Sequence, residues 1–137
     1  MAALDTQTSG HTCKSILVVE DEPTIRENLK MLLELEGFSV YTASNGEEGL
    51  KVLRTIPRPC LVLLDLLMPV MNGMEFMEAK SHEITIAAIP VCFVSGVAEK
   101  PDMSKAAAFV KKPIEFGGLL KFVRQYCGIP NKEAKNP

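Results

Sequence analysis

The stretch PRPCLVLLDLLMPVMNG, residues 57–73, decides the fold class of this chain. Its centre is a continuous apolar run that ends at Asp65. A run of this kind, without polar alternation, indicates a strand that is covered on both faces. A loop with one proline follows, and then Asn72 with Glu75 three residues later gives the pattern of a helix capping box. A buried strand, a loop and a helix therefore follow one another, as in a parallel α/β sheet.

The same unit recurs on both sides of this stretch. Short apolar runs predict five strands, at SILVVE (15–20), FSVYTA (38–43), PRPCLVLLD (57–65), IPVCFVSG (89–96) and AAAFVKKP (106–113). Apolar residues at helical spacing predict helices between them, and the last helix presents Phe116, Leu119, Leu120, Val123 and Tyr126. The pattern predicts an α/β fold, with a doubly wound five-stranded parallel sheet and helices on both faces.

Composition bounds the domain organisation and the class of partner. The chain has 137 residues, 47% of them hydrophobic, and a net charge of −2, which is typical of one soluble globular domain. The polar, aperiodic ends predict disordered tails at 1–13 and 129–137 around a domain at 14–128. Because positive charge is not clustered and no apolar run reaches membrane length, we expect no direct nucleic-acid partner and no membrane insertion.

The sulfur-containing residues are predicted to be structural. The four cysteines form no C-x-x-C pair, and no secretory signal is present, so we expect free thiols and a cytoplasmic location. The methionines around the central stretch are expected to be packing residues rather than ligands; they are Met68, Met71, Met74 and Met77.

Polar side chains collect where the predicted strands end. These residues are Glu20, Asp21, Asp65, Ser95 and Lys112. In a parallel sheet, ligands bind beyond the carboxyl ends of the strands, so these side chains should meet at one edge. Three carboxylates repel one another, and Mg²⁺ is the cation that suits such a group with phosphate and water. The set predicts that Asp65 attacks a phosphoryl group beside the metal, with the lysine and the hydroxyl stabilising charge.

Four motifs in order resemble the receiver domains of two-component response regulators. They are LVVEDEP, LVLLDLLMPVMNGMEF, VCFVSG and FVKKP, and the resemblance runs from about Lys14 to Cys127. The second acidic residue of the first motif precedes Asp65 by 44 positions, and Ser95 follows Asp65 by 30. The resemblance implies a flavodoxin-like (βα)5 receiver fold that is phosphorylated on an aspartate.

The resemblance assigns roles at the acidic end of the site. It makes Asp65 the phospho-acceptor and Asp21 a direct Mg²⁺ ligand. Glu20 would act beside Asp21, through water. The backbone carbonyl of Leu67, two positions after the acceptor, would complete the protein ligands. Glu20 stands where such domains more often have aspartate, which changes the reach of this carboxylate but not its charge.

The resemblance also assigns the residues that contact phosphate and respond to it. Ser95 and Lys112 would each bind a phosphoryl oxygen, and Gly96 would leave the approach open. Phe109 matches the aromatic switch position that turns inward when the hydroxyl moves toward phosphate, so Ser95 and Phe109 form the expected switch. The bond between Lys112 and Pro113 matches one that is cis in the family. Lys112 rather than Lys111 is expected at the site, because the family lysine directly precedes proline and strand side chains alternate.

One segment departs from the family pattern. Lys112 follows Ser95 by only 17 positions, and GVAEKPDMSKAA (96–107) contains Pro101 and a poor apolar pattern. We therefore expect a shortened or irregular fourth helix and a non-standard output surface.

These features predict a stand-alone receiver. It would take a phosphoryl group from a histidine kinase or histidine phosphotransfer protein and pass a conformational signal to a downstream protein target. It would assist only its own phosphorylation and dephosphorylation and would not be an enzyme. A pseudo-receiver, acting as a phosphorylation-independent interaction module, is the alternative. A phosphohydrolase is disfavoured because Leu67 stands where a second aspartate is needed, and an NTPase because there is no G-x-x-x-x-G-K-[ST] motif.

Overall fold

A computed structural model of the chain describes residues 14–130. The predicted tail at 1–13 lies outside the described residues, and so do residues 131–137 of the tail predicted at 129–137. Five strands form one parallel sheet in the order β2-β1-β3-β4-β5. The strands are β1 (Ser15–Val19), β2 (Ser39–Ala43), β3 (Leu61–Leu64), β4 (Val91–Ser95) and β5 (Ala108–Lys111). The predicted parallel sheet is therefore confirmed, with β3 at its centre.

Four helices cover the two faces of the sheet in the described part of the chain. They are α1 (Pro23–Leu35), α2 (Gly46–Thr55), α3 (Gly73–Ser81) and α4 (Phe116–Cys127). Buried residues of α1 and α4 pack with Ile16 and Val18 on one face, and those of α2 and α3 pack with Leu17 and Val19 on the other. Alternate residues of β1 thus serve opposite cores, which explains its unbroken apolar sequence.

The helix boundaries follow local sequence. Pro23 occupies the first turn of α1, where its missing N–H needs no partner. Asn45 caps α2 by accepting a hydrogen bond from the Glu48 amide. Asn72 and Glu75 form the predicted capping box at the start of α3. These caps fix where each chain segment leaves the carboxyl edge of the sheet.

The connection between β4 and β5 contains no helix, so the expectation of an irregular fourth helix is confirmed in its strongest form. Pro101 lacks an N–H and restricts the residue before it, which disfavours a continuous helix through this short segment. Only Val97, Met103 and Ala106 of this connection pack against the apolar cluster that includes Phe93. β4 is therefore followed by an irregular connection and not by a helix.

The prediction that the cysteines are free thiols is wrong for Cys60. Cys60 is disulfide-bonded, whereas Cys92 and Cys127 are free and buried, with thiol pKa values raised to about 12 by burial. Spacing along the chain does not reveal which cysteines approach in space. Met74 and Tyr126 are 43% and 41% exposed, because each helix has a narrower buried face than its apolar pattern suggests. The other three methionines of the central stretch are buried or partly buried as predicted.

No helix within residues 14–130 has the length and apolar character that crossing a bilayer requires.

Candidate phosphorylation and metal site

Sheet hydrogen bonds continue past the strand ends and fix the backbone of the polar residues there. The Asp65 amide donates to Val19 O at 3.0 Å, and the Glu20 amide donates to Ala43 O at 3.0 Å. The Lys112 amide donates to Ser95 O at 2.9 Å. Because all five strands are parallel, these residues lie at one edge, as predicted.

Three carboxylates converge at this edge. Glu20, Asp21 and Asp65 each offer an oxygen within 4.8 Å of the other two. Glu20 and Asp65 are only 2% and 4% exposed, and Asp21 is more open to solvent. A donor set of carboxylates, partly buried and with one open side, suits a hard divalent cation such as Mg²⁺. The structure therefore brings together the three acidic side chains that the sequence predicted.

Lys112 links two of these carboxylates. Its Nζ lies 2.8 Å from Glu20 Oε1 and 3.2 Å from Asp65 Oδ2. The second oxygen of each carboxylate is also bound, since the Glu22 amide donates to Glu20 Oε2 at 3.0 Å and the Leu67 amide donates to Asp65 Oδ1 at 3.3 Å. Lys111 is exposed, so Lys112 is the lysine that the structure places beside the carboxylates.

The charges of Lys112 and of the carboxylates around it favour a further cation at this site. Burial raises the pKa of Glu20, and the Asp65 charge adds to this, although hydrogen bonds from Lys112 and the Glu22 amide oppose it. Burial acts to lower the pKa of Lys112, but the hydrogen bond to Glu20 and the charges of both carboxylates outweigh it, and the pKa is raised. One ammonium faces three carboxylates, so negative charge is in excess.

Ser95 and Phe109 are the two residues that were expected to form the switch. Ser95 ends β4 and is fully buried, and its Oγ has no hydrogen-bond partner within residues 14–130. Phe109 is partly buried against the cluster that contains Phe93. An added Cβ on Gly96 would meet only Lys112 Cβ, at 3.9 Å, so this side of the site is open. The Lys112–Pro113 bond is cis, as expected.

Sequence reasoning missed Arg26. Its Nη1 donates to Glu20 O at 2.9 Å and, at 3.4 Å, to Asp21 O. The available signal was weak: a basic residue in the first turns of a helix opposes the helix dipole and so calls for another explanation.

The comparisons with known proteins agree with this geometry. The family of response regulator receiver domains matches residues 16–124. This chain belongs to that family. It is 32% identical over 113 residues to Protein PilH of Pseudomonas aeruginosa, covering 79% of this chain and 93% of PilH. It is 28% identical to the polar-differentiation response regulator DivK of Brucella anthropi, covering 84% of this chain and 97% of DivK.

Solved structures give the same result for this receiver domain. The response regulator TrrA of Thermotoga maritima, in complex with Mg²⁺ and BeF, has a TM-score of 0.73 and 33% identity, over 82% of this chain and 98% of TrrA. The chemotaxis protein CheY4 of Vibrio cholerae has a TM-score of 0.74 and 26% identity, over 84% of this chain and 99% of CheY4. The DNA-binding response regulator MtrA of Mycolicibacterium smegmatis is also similar, but the match covers only 48% of MtrA.

Proposed function

We propose that this chain accepts a phosphoryl group on Asp65 from a histidine kinase or a histidine phosphotransfer protein, as a stand-alone response regulator in the cytoplasm. The observation that carries the proposal is the buried Asp65 carboxylate, 3.2 Å from Lys112 Nζ and grouped with two further carboxylates. Reactive groups of this kind have few structural uses at a buried strand end. The functional unit we assign is 14–128.

Glu20, Asp21 and Asp65 would hold Mg²⁺, with the Leu67 carbonyl as a further ligand. When bound, this ion neutralises carboxylate charge and the charge of the transferring phosphoryl group. The donor set and its open side support this assignment. The complex of the relative TrrA with Mg²⁺ and BeF supports it independently.

The chain's own residues account for the transfer step. An oxygen of the Asp65 carboxylate attacks phosphorus, the bond from phosphorus to the donor nitrogen breaks, and the leaving imidazole regains a proton. Lys112, already between Glu20 and Asp65, stays near the charge that arrives on the phosphoryl oxygens. Gly96 leaves room for those oxygens. The product is an acyl phosphate on Asp65, and the chain assists only its own phosphorylation and dephosphorylation.

Phosphorylation would then shift a conformational equilibrium that a downstream protein reads. The buried, unpaired Ser95 Oγ gains a partner by moving to a phosphoryl oxygen. Phe109, half-buried on β5, would fill the space that this movement opens. The signal would leave through β5 and the irregular connection before it.

The second candidate is a pseudo-receiver that binds partners without phosphorylation. The missing helix between β4 and β5 favours it, because that helix belongs to the expected switching surface. The complete acidic cluster and its lysine favour phosphorylation.

One experiment separates the two functions. The protein is incubated with Mg²⁺ and a small phosphodonor, such as phosphoramidate, and the intact mass is measured before and after mild base. We expect one base-labile phosphate on the wild type and none on Asp65→Asn. Asp102→Asn removes a carboxylate outside the site and should be phosphorylated normally. If the wild type gains no phosphate, or if Asp65→Asn gains it equally, the proposal is wrong and the pseudo-receiver is favoured.

A second titration tests the switch. Beryllofluoride added with Mg²⁺ should change the backbone amide resonances of Ser95 and Phe109, and Asp65→Asn should abolish the change. Amide shifts confined to residues next to Asp65 would show that phosphate binds without the proposed movement of β4 and β5.

A further inference from the structure

Arg26 reaches back from α1 to the loop that carries two of the three site carboxylates. Its Nη1 lies 2.9 Å from Glu20 O and 3.4 Å from Asp21 O. The side chain is only 18% exposed although it starts near the exposed beginning of the helix. Its approach to Glu27 is long, 3.8 Å from Nε to Oε2, and Glu27 is 63% exposed, so that pair contributes little. The better contacts of this guanidinium are with main-chain carbonyls.

These contacts close the turn between β1 and α1. The Glu20 amide is bound to Ala43 O, and the Arg26 amide donates to Glu22 O at 2.9 Å. The Glu22 amide holds Glu20 Oε2. The guanidinium therefore joins the first turns of α1 to the two residues whose carboxylates point into the site. Both carbonyls accept from the same Nη1, so one nitrogen of the guanidinium ties the two residues to α1.

The charge of Arg26 has a second effect. A cation at the start of a helix opposes the helix dipole, so α1 alone gains nothing from it. The hydrogen bonds from Ser44 lower the pKa of Glu48 on α2, and the charge of Arg26 adds to this, so that carboxylate offsets the unfavourable position of the cation. Arg26 contacts the main-chain side of Glu20 and Asp21 and leaves their carboxylate oxygens available to a metal ion.

The geometry points to Arg26 as a positioning residue for the divalent cation. It fixes the main chain of Glu20 and Asp21 so that their carboxylates converge with Asp65, and it thereby raises the affinity for Mg²⁺ without touching the ion. This inference rests on the proposed metal-dependent function and adds a residue to it.

The test is Mg²⁺ binding measured by titration calorimetry. Arg26→Ala removes both hydrogen bonds, and we expect the Mg²⁺ dissociation constant to rise about 10-fold, at the lower end of the effects seen for groups that orient metal ligands. Arg26→Lys keeps the charge on a shorter side chain without the planar guanidinium, and should give a smaller rise. Lys30→Ala is the matched control, because it removes one positive charge from the same helix where the side chain binds Glu34 instead of the loop. It should change the dissociation constant less than twofold.

Phosphorylation kinetics give a second readout. With phosphoramidate, the Arg26→Ala rate should fall about 10-fold at low Mg²⁺ and approach the wild-type rate at saturating Mg²⁺. A general loss of structure would lower the saturated rate as well. Thermal unfolding without metal identifies such a loss, and Arg26→Lys then carries the test if Arg26→Ala does not fold.

The outcomes are distinct for the two proposals. A folded Arg26→Ala or Arg26→Lys protein that binds Mg²⁺ as tightly as the wild type overturns the role of Arg26, whatever Asp65 does. A wild type that binds Mg²⁺, and loses affinity on Arg26→Ala, but forms no Asp65 phosphate overturns the proposed function and leaves the role of Arg26 intact. A wild type with no Mg²⁺ binding overturns both.

Discussion

Two connections leave neighbouring central strands at the same edge of the sheet, and they are built differently. The acceptor loop, residues 66–72, is held by main-chain hydrogen bonds to two separate parts of the fold. The Gly73 amide donates to Leu66 O at 3.0 Å, and the Gly46 amide donates to Met71 O at 2.9 Å. The loop then enters α3 through the Asn72–Glu75 capping box. Its path is fixed from both ends.

The β4–β5 connection, residues 96–107, is held mostly by local contacts. Asp102 Oδ1 accepts from the Ser104 amide at 2.9 Å, and the Ala106 amide donates to Met103 O at 3.2 Å. Its link to the sheet is the Ala107 amide, which donates to Val91 O at 2.8 Å. Most of its residues are exposed.

The difference shows that the chemistry and its transmission have separate structural requirements. Phosphoryl transfer depends on positions held to a fraction of an ångström, and the acceptor loop supplies them beside Asp65. A conformational response requires a segment of low local stability, and the β4–β5 connection has the few contacts such a segment needs.

The largest expected effect comes from adding one methyl group to a glycine at each connection. In Gly73→Ala, the new Cβ would lie 2.6 Å from Asp65 O and 2.8 Å from Leu66 Cα. Both neighbours are backbone atoms, so the loop must move, and we expect a loss of about 3 kcal/mol in the free energy of unfolding. In Gly96→Ala the new Cβ meets only Lys112 Cβ, at 3.9 Å, and the free energy of unfolding should change by less than about 0.5 kcal/mol.

Denaturant unfolding of Gly73→Ala and of Gly96→Ala measures both changes in the free energy of unfolding. Equal losses of stability would contradict the contrast between a fixed and a loosely held connection.

Amide hydrogen exchange compares the connections without mutation. The Gly46 and Gly73 amides are donors in the bonds that hold the acceptor loop, so they should exchange at least about 100-fold more slowly than amides of residues 98–100 and 102. Two-dimensional NMR after transfer to D₂O measures these rates residue by residue. Protection across 98–106 equal to that of α1 would show that this connection is ordered in solution.

Removal of one capping side chain from each connection should give a smaller effect. Asn72→Ala removes the bond that Asn72 Oδ1 accepts from the Glu75 amide and leaves only the backbone half of the capping box, and we expect a loss of about 1 kcal/mol. Asp102→Ala removes the bond to the Ser104 amide in an exposed turn and should cost a few tenths, about 0.3 kcal/mol. Thermal unfolding measures both. A larger loss for Asp102→Ala would place the β4–β5 connection among the stabilising parts of the fold.

The sequence predicted the acceptor loop better than the β4–β5 connection for a physical reason. Apolar runs, Asn72 with Glu75 and the residues at strand ends are local signals, and the sheet topology then places Asp65 beside Glu20, Asp21 and Lys112. The same local signals are poor in 96–107, where they could indicate an irregular segment but not its path.

What could not be predicted depends on contacts between distant residues or on the backbone. Arg26 binds main-chain carbonyls, which carry no sequence signature. The disulfide of Cys60 depends on which cysteines approach one another in space. The exposure of Met74 and of Tyr126 depends on how much of each helix the rest of the fold covers. The pairing of Lys112 with both Glu20 and Asp65 depends on how the ends of separate strands meet in space. Neither composition nor periodicity contains this information.

The smallest expected effect concerns strain in the acceptor loop. The Met71 amide donates to Pro69 O at 2.7 Å, which closes a tight turn on Val70 with φ of 68°. Val70 is the one non-glycine residue with positive φ within residues 14–130, and a β-branched side chain there is strained by about 1 kcal/mol. Such strain persists only where the surroundings determine the backbone, as the bonds of Gly46 and Gly73 do here.

Val70→Asn should therefore raise the free energy of unfolding by about 0.5 kcal/mol, since asparagine tolerates positive φ. Ile84→Asn is the control, because it removes an exposed β-branched residue, 91% accessible, at an ordinary backbone angle. Chemical denaturation of the two variants should separate relief of strain from the effect of a more polar surface. If Val70→Asn stabilises the protein no more than Ile84→Asn does, the turn relaxes in solution. The acceptor loop would then be less rigid than its hydrogen bonds indicate, and the contrast with the β4–β5 connection would be smaller.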